Sequence, residues 1–411
     1  MKYQATFLSI LFCCVSLCCA AQFGFMTNKN VKQIDIPFEY ENNFIVVEVT
    51  LNRTFPLRMI FDTGAEHTIL CQKSITDLLK VNYEKTFDLL GADLKTPLKS
   101  YLAKNITIET NEGSVVAQNQ NILVLDQDYF RLEACVGTKI QGILGADLFN
   151  NYVLKINYQK KMITLYEPNT FVAPRDYEVF PIQISQGKPF ISPIVTLDNG
   201  QSLLTTILID SGASLSFLLY AHTHPSLVMP QRYIQGRLGM GLGGNIMGYS
   251  GRIKKLSFSE KIFFDQLLVD FQDFTHGSDS LKVVGRNGIL GNDILNRFVV
   301  IIDYIHFKAY LKPTYGYNKP FEYDKSGMLM MASGENLSRF YVQHIIPNSP
   351  AELANVRVDD RLVSINNIST KFMDLESVCM RFRKKEGKRY RLVIYRNGEY
   401  LKKYLTLKTL I

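Results

Sequence analysis

Met59-Ile60-Phe61-Asp62-Thr63-Gly64-Ala65 decides the reading of this chain, because it returns as Leu208-Ile209-Asp210-Ser211-Gly212-Ala213. Each copy closes an apolar, strand-like run and presents one aspartate on a glycine-containing turn. Each is answered downstream, by Gly142-Ile143-Leu144-Gly145-Ala146-Asp147 and by Gly288-Ile289-Leu290-Gly291-Asn292-Asp293. Asp62 and Gly145 are 83 residues apart, Asp210 and Gly291 81. Matched motifs at matched spacing imply a duplicated lobe, and two such lobes can set two aspartates face to face.

Two carboxyl groups held that close cannot both ionise cheaply, so they share a proton. The ionised partner can then act as general base on a water, while the protonated one hydrogen-bonds a scissile carbonyl. That chemistry needs no metal and no cofactor. Asp62 and Asp210 are the candidate catalytic pair. Gly64 and Gly212 let backbone amides approach the carboxylates where a Cβ would obstruct. The hydroxyls of Thr63 and Ser211 can lock one turn against the other. Ile143-Leu144-Gly145 and Ile289-Leu290-Gly291 are expected to pass beneath the two turns and support them.

Short β-branched or aromatic runs dominate both halves, and the fold expected is mainly β: two duplicated barrel-like lobes forming a cleft, then a small α+β domain. The divisions read along the 411 residues are a leader over 1–21, lobe 1 over 22–167 and an interlobe linker over 168–189. Lobe 2 follows over 190–313, a second linker over 314–329 and the small domain over 330–411. Pro168, Pro174, Pro181 and Pro189 mark the first junction. Asn111-Glu112-Gly113 reads as a hairpin turn, and helices are expected over 75–79, after Gly145, over 351–355 and over 375–383. Gly239 to Tyr249 is the candidate substrate-covering hairpin of lobe 2, with Gly241, Gly243, Gly244 and Tyr249 as substrate-binding residues. Gly91 to Tyr101 holds the comparable place in lobe 1.

Lys2, the apolar Phe7 to Leu17 and Cys18-Cys19-Ala20-Ala21 form a secretory-signal pattern cleaved near residue 21. An uncleaved anchor and a lipid on Cys18 or Cys19 are the other readings. The expected location is exported: periplasmic, cell-envelope or secreted. Cys71, Cys135 and Cys379 remain in the mature chain; one disulfide between the first two and two free thiols are both compatible with the spacing. Residues 330–411 hold 15 Lys+Arg and 8 Asp+Glu of a chain whose net charge is +8, so the basic excess sits in the small domain. No nucleic-acid motif accompanies it. Gly239 to Gly244 fits Gly-x-Gly-x-x-Gly, but no βαβ unit surrounds it. His222 and His224 lack a third ligand nearby. Asp147 and Asp293 are expected to cap the short helices after the two Ile-Leu-Gly segments.

Residues 33–313 resemble aspartic peptidases of the retropepsin-like and pepsin-like group, here as two fused lobes. Asp62-Thr63-Gly64-Ala65 and Asp210-Ser211-Gly212-Ala213 match that group's catalytic turn, and the Ile-Leu-Gly pair its support motif. Residues 330–411 resemble a PDZ domain through Ser349-Pro350-Ala351, Asp359-Asp360-Arg361-Leu362 and Ile365-Asn366, although Asp359-Asp360 stands where Gly-Asp is typical. The whole resembles bacterial exported aspartyl proteases with a C-terminal PDZ domain. The resemblance implies an endopeptidase acting on polypeptide, with a peptide ligand for the PDZ domain. The usual Gly-rich carboxylate-binding loop is lacking; the stretch corresponding to it is Glu335 to Phe340, with Gly334 alone before it, and the acceptor strand falls over Phe340 to Ile346, making Leu337, Phe340 and Val342 the candidate peptide-binding residues. Two lobes in one chain remove the need for dimerisation, so a monomer is expected. The rival reading is a non-catalytic envelope protein that captures peptides in the cleft and PDZ domain; a structural envelope protein assembled through PDZ pairing is the third.

Overall fold

The computed structural model describes residues 24–26, 31–90, 97–110, 115–129, 131–241, 244–272 and 285–411. The expected leader, the 111–113 turn and Gly243 lie outside these. The protein is mainly β, as expected, with a small α+β domain at its C-terminus.

The two lobes are built in the same strand order. In lobe 1 the hydrogen-bonded sequence runs Glu39–Glu41, Phe44–Leu51, Phe55–Phe61, Gly142–Leu144, Ile69–Leu70, Val115–Leu125, Pro97–Thr110, Tyr83–Leu90. In lobe 2 it runs Glu178–Ser185, Lys188–Ile191, Ile207–Ile209, Gly288–Leu290, Phe217–Tyr220, Phe263–Gln272, Gly244–Ser257, with Tyr233–Gly241 paired to the last. Equivalent two-residue turns open the lobes. Asn42 and Asn43 take φ of 48° and 65°, Gln186 and Gly187 take 50° and 70°. This left-handed pair suits the twist of a tight hairpin, and Asn and Gly adopt it readily.

One six-strand stretch joins the lobes: Gln33–Pro37, Met162–Tyr166, Val153–Asn157, Phe298–Asp303, Lys308–Pro313 and Glu178–Ser185. Its central pairing is antiparallel, with Leu154 opposite Ile302. One face buries Ile34, Ile36, Leu154, Ile156, Ile163, Leu165, Val300, Ile302 and Leu311 in a core continuous through both lobes. The strand alternation puts Val153, Ile301 and Tyr310 on the other face, where Phe171 and Tyr177 of the interlobe segment cover them. The expected linker therefore contributes a paired strand; Pro181 sits mid-strand, opposite Lys308, where pairing passes from Lys308–Pro313 to Lys188–Ile191.

The C-terminal domain has its own core around Met330, Phe340, Val342, Leu362, Val378, Phe382 and Ile394. Leu375, Val378 and Phe382 give the helix Leu375–Phe382 a single apolar face, and Asp374 caps it by accepting from the Ser377 amide at 2.7 Å. Asp359 has φ +69°, the left-handed conformation that glycine takes without cost, which accounts for the usual Gly-Asp there. The buried Asp360 carboxylate is held bidentately by Arg396 at 2.6 and 2.7 Å.

The expected peptide-accepting strand of this domain is corrected. Arg339–Ile345 is internal, paired with Met328–Ser333 on one side and with Arg361–Ile365 on the other. Phe340 and Val342 are core residues and Leu337 packs against that core. The sheet order leaves Met328–Ser333 at the edge, and strand addition needs an edge. The lobe 1 helix Leu132–Val136, absent from the expectations, packs against this edge strand. Gly137 after it abuts the start of Leu375–Phe382, where an added Cβ would come within 2.7 Å of Leu375.

Candidate active site

Each aspartate turn is fixed from below by its own lobe. Phe55–Phe61 runs parallel to Gly142–Leu144, and the Asp62 amide donates to Leu144 O at 3.0 Å. Ile207–Ile209 runs parallel to Gly288–Leu290, and the Asp210 amide donates to Leu290 O at 3.0 Å. Gly145 and Gly291 are required by close approach: a Cβ there would strike the backbone of His67 and of Leu215 respectively. The Ile-Leu-Gly segments thus run alongside the strands that end in the two aspartates.

The turns are then fixed against each other. Thr63 Oγ1 donates to Ile209 O and Ser211 Oγ to Phe61 O, both at 2.8 Å. The hydroxyl oxygens in turn accept from the opposite amides, Ser211 N to Thr63 Oγ1 and Thr63 N to Ser211 Oγ, both at 3.0 Å. Both side chains are fully buried. Every donor and acceptor in this ring is satisfied across the lobe boundary, and an unsatisfied member in such surroundings costs about 1–3 kcal/mol.

This lock brings the carboxyls together. Asp62 Oδ1 accepts from the Gly64 and Ala65 amides at 2.7 and 3.1 Å, and Asp210 Oδ1 from the Gly212 amide at 2.8 Å. Each carboxyl lies on the glycine of the opposite turn: a Cβ on Gly64 would come within 2.6 Å of the Asp210 carboxyl carbon, and one on Gly212 would overlap Asp62. The two carboxyls lie close enough to share a hydrogen bond when one of them carries a proton. Burial, then the charge of Asp210, raises the Asp62 pKa well above its ordinary value. Burial raises Asp210 too, with Asp62, the Gly212 amide and Arg286 opposing. A pair so placed titrates as one unit. Such a pair holds one proton more tightly than a lone carboxyl would and can polarise a water between its members.

The surrounding residues divide. Asn292, after Ile289-Leu290-Gly291, donates its amide to Asn43 O at 2.8 Å and Ser211 O at 2.6 Å and accepts from the Tyr158 hydroxyl. Nothing in the sequence reading singled out this residue; its repeat partner, Ala146, gave no hint. Asp147 does not cap its helix. Its carboxylate takes the Thr68 amide at 3.0 Å and the Thr68 hydroxyl at 2.8 Å, because Gly145 brings the chain directly under the Asp62 turn. Gly291, not Asp293, holds the cap position of Asn292–Leu295, and Asp293 lies in the first turn.

Gly241 and Gly244 pair at the end of the Tyr233–Gly241 and Gly244–Ser257 hairpin. Tyr249 packs edge-on against Tyr233 at 5.3 Å. The lobe 1 hairpin is Tyr83–Leu90 with Pro97–Thr110. Gly91 and the next five residues lie outside the described residues, whereas residues 97–101 are strand. His222 lies within the short 3-10 turn Ala221–Thr223 and His224 directly after it, and among the described residues no group of three or more His, Cys, Asp or Glu gathers as a metal site. Cys71, Cys135 and Cys379 are unbridged.

Residues 47–148 match the family model described as aspartyl protease, and residues 341–396 match the one described as PDZ domain. The chain carries an aspartyl protease domain and a PDZ domain. The first match takes in Asp62 and ends before Asp210. A curated protein of Saccharomyces cerevisiae, probable 26S proteasome regulatory subunit p27, is 31% identical over 67 residues, which are 16% of this chain and 30% of that protein. The chain thus spans under a third of that relative. Among solved structures, basic 7S globulin from soybean aligns at 10% identity with a TM-score of 0.40, and conglutin gamma from lupine seeds at 11% with 0.41. Each alignment covers 69% of this chain and 95% of the other.

Proposed function

We propose that the protein is an aspartic endopeptidase that hydrolyses peptide bonds with a water activated by Asp62 and Asp210. The observation that carries the reading is the reciprocal seating of each carboxyl on the glycine of the other lobe's turn. Extended polypeptide binds in the cleft between the lobes. The proton-sharing carboxylate removes a proton from the water as it attacks the carbonyl carbon. The protonated partner donates to the carbonyl oxygen, and a tetrahedral diol forms. Its collapse breaks the C–N bond, with a proton passing to the leaving amine. The amides of Gly64, Ala65 and Gly212 orient the carboxylates throughout. The two hairpins, with Gly241, Gly244 and Tyr249 in the second, close over the substrate, and Gly243, outside the described residues, is a further substrate-binding candidate.

The same proposal includes export through the 1–21 leader to the periplasm, cell envelope or exterior, action as a monomer, and recruitment or positioning of substrate by the PDZ domain. The test is cleavage of a diverse peptide mixture by residues 22–411 from acid to neutral pH, beside Asp62→Asn and Asp210→Asn. Cleavage abolished by either substitution in a folded variant supports the dyad. No cleavage at any pH, with peptide binding retained, would establish a capture protein instead.

A further inference from the structure

The two lobes match in backbone and differ in side chain at three positions around the dyad. Phe44 and Lys188 each follow the two-residue turn that opens their lobe, opposite Glu41 and Ser185. Ile140 and Arg286 each precede a residue that brackets the strand leading to the aspartate: Gln141 Oε1 accepts from the Arg58 amide at 2.9 Å, Asn287 Oδ1 from the Thr206 amide at 2.8 Å. Glu66 and Ser214 each stand four residues beyond the aspartate. The repeat therefore has a charged set, Glu66, Lys188 and Arg286, and a neutral set, Ser214, Phe44 and Ile140.

Two members of the charged set, Lys188 and Arg286, lie within electrostatic reach of the dyad. Lys188 Nζ stands 3.2 Å from Gln186 Oε1 and 3.8 Å from Glu66 Oε2, with its side chain only 18% exposed. Glu66 is also engaged by His67, 3.5 Å away. The Arg286 guanidinium lies 5.5 Å from the Tyr220 ring centre and hydrogen-bonds that side chain. Among the described residues Arg286 makes no ion pair within 4.0 Å. Lys188 is felt by Asp62, Arg286 by Asp210, and the two cations by each other. Ile140 is instead buried in an apolar cluster with Val46, Leu125 and Val136, and Phe44 packs against it.

We propose that Lys188 and Arg286 form a carboxylate-selecting subsite of the cleft, so that the preferred polypeptide carries Asp or Glu beside the scissile bond on the Arg286 side. The inference rests on the peptidase reading and deepens it. Lys188 already leans on Glu66, whereas Arg286, set beside Tyr220, makes no ion pair among the described residues and keeps guanidinium N–H groups that can take a carboxylate. A neutral side chain gains nothing there, and a lysine is repelled.

The test compares peptides that differ at one position, Asp or Glu against Asn, Gln or Lys, on either side of the cleaved bond, using residues 22–411. The expected result is an acid-to-amide kcat/KM ratio of about tenfold or more at one position. That ratio falls towards one in Arg286→Gln, shrinks in Lys188→Gln and reverses in favour of Lys in Arg286→Glu. Using a ratio within each variant cancels any general loss of rate from the effect of Arg286 on Asp210. A ratio near one at every position of the parent chain, or one unmoved by both Arg286 substitutions, overturns the subsite. Absence of all cleavage overturns the peptidase reading instead. The subsite is then decided by fluorescence anisotropy of the same peptides on Asp62→Asn: acid preference lost on adding Arg286→Gln upholds it, and equal affinities overturn it.

Discussion

Tyr158 donates its hydroxyl to Asn292 Oδ1 across 2.7 Å, joining lobe 1 to the residue that holds the Ser211 turn of lobe 2. Its repeat partner, Tyr304, has no such bond. Ile156-Asn157-Tyr158 and Ile302-Asp303-Tyr304 occupy matched positions, but Ala146 stands where Asn292 would be needed. The Tyr304 hydroxyl is buried and has no hydrogen-bond partner among the described residues, its ring edge-on to Phe149 at 6.3 Å.

Tyr158→Phe should therefore destabilise the fold by about 1–3 kcal/mol, since it leaves the Asn292 carbonyl oxygen short of a donor. Tyr304→Phe should be neutral or stabilising by up to about 1 kcal/mol, because it removes a buried polar group that no side chain satisfies. Urea midpoints of the two variants decide this. Equal losses would mean that Tyr304 has a partner of comparable strength.

Thr63 and Ser211 should behave as one unit. Thr63→Val and Ser211→Ala each break a ring that the other completes, so each should cost about 1–3 kcal/mol and the double variant clearly less than the sum. A thermodynamic cycle on the four proteins measures the coupling. Simple additivity would mean the cross-lobe ring contributes nothing as a ring.

Gly212→Ala should leave the fold largely intact and reduce kcat at least about a hundredfold, because the new methyl displaces the Asp62 carboxyl it would overlap. Gly64→Ala should do the same through Asp210. Circular dichroism separates misfolding from misplacement. Parent-like turnover in a folded Gly212→Ala would contradict the seating of the carboxyls.

Asp270 gives a pH signature away from the dyad. Burial pushes its carboxyl up to about 6, opposed by the Ser250 hydroxyl, which donates to it at 2.5 Å. A folded-state value above the unfolded one, about 3.9, means that the folded chain holds the proton more tightly. The stability this confers is present below about pH 4 and is lost as the pH rises through about 6. Asp270→Asn should thus match the parent near pH 4 and exceed it near pH 8 by on the order of 1–3 kcal/mol. Urea unfolding at the two pH values is the measurement; an unchanged difference between them would remove Asp270 as the source.

The dyad turns and their Ile-Leu-Gly supports were legible because their demands are local. A glycine is needed wherever backbone meets carboxyl or backbone, and that need is written in single residues such as Gly145 and Gly291. The six-strand stretch between the lobes was only half legible. Val153 to Tyr166 and Val299 to Leu311 declare themselves by apolar alternation, but Glu178–Ser185 carries a proline and an exposed face and read as linker. The PDZ edge was misplaced because Phe340 to Ile346 is the more strand-like run, and which strand lies outermost depends on sheet order rather than composition. Asn292 and Lys188 act across the lobe boundary, where no local pattern reaches.

The short helix Leu132–Val136 and Gly137 rest against both Met328–Ser333 and the start of Leu375–Phe382, the two walls between which an added strand would lie. Any peptide that adds to that edge would therefore have to compete with a tethered occupant. Tethering gives that occupant a high local concentration, so the affinity measured on the whole chain falls below that of the bare groove by the fraction of time the helix is undocked. Linkage makes the trade reciprocal: whatever fills the groove releases lobe 1 from the C-terminal domain, and whatever holds lobe 1 in place keeps the groove shut.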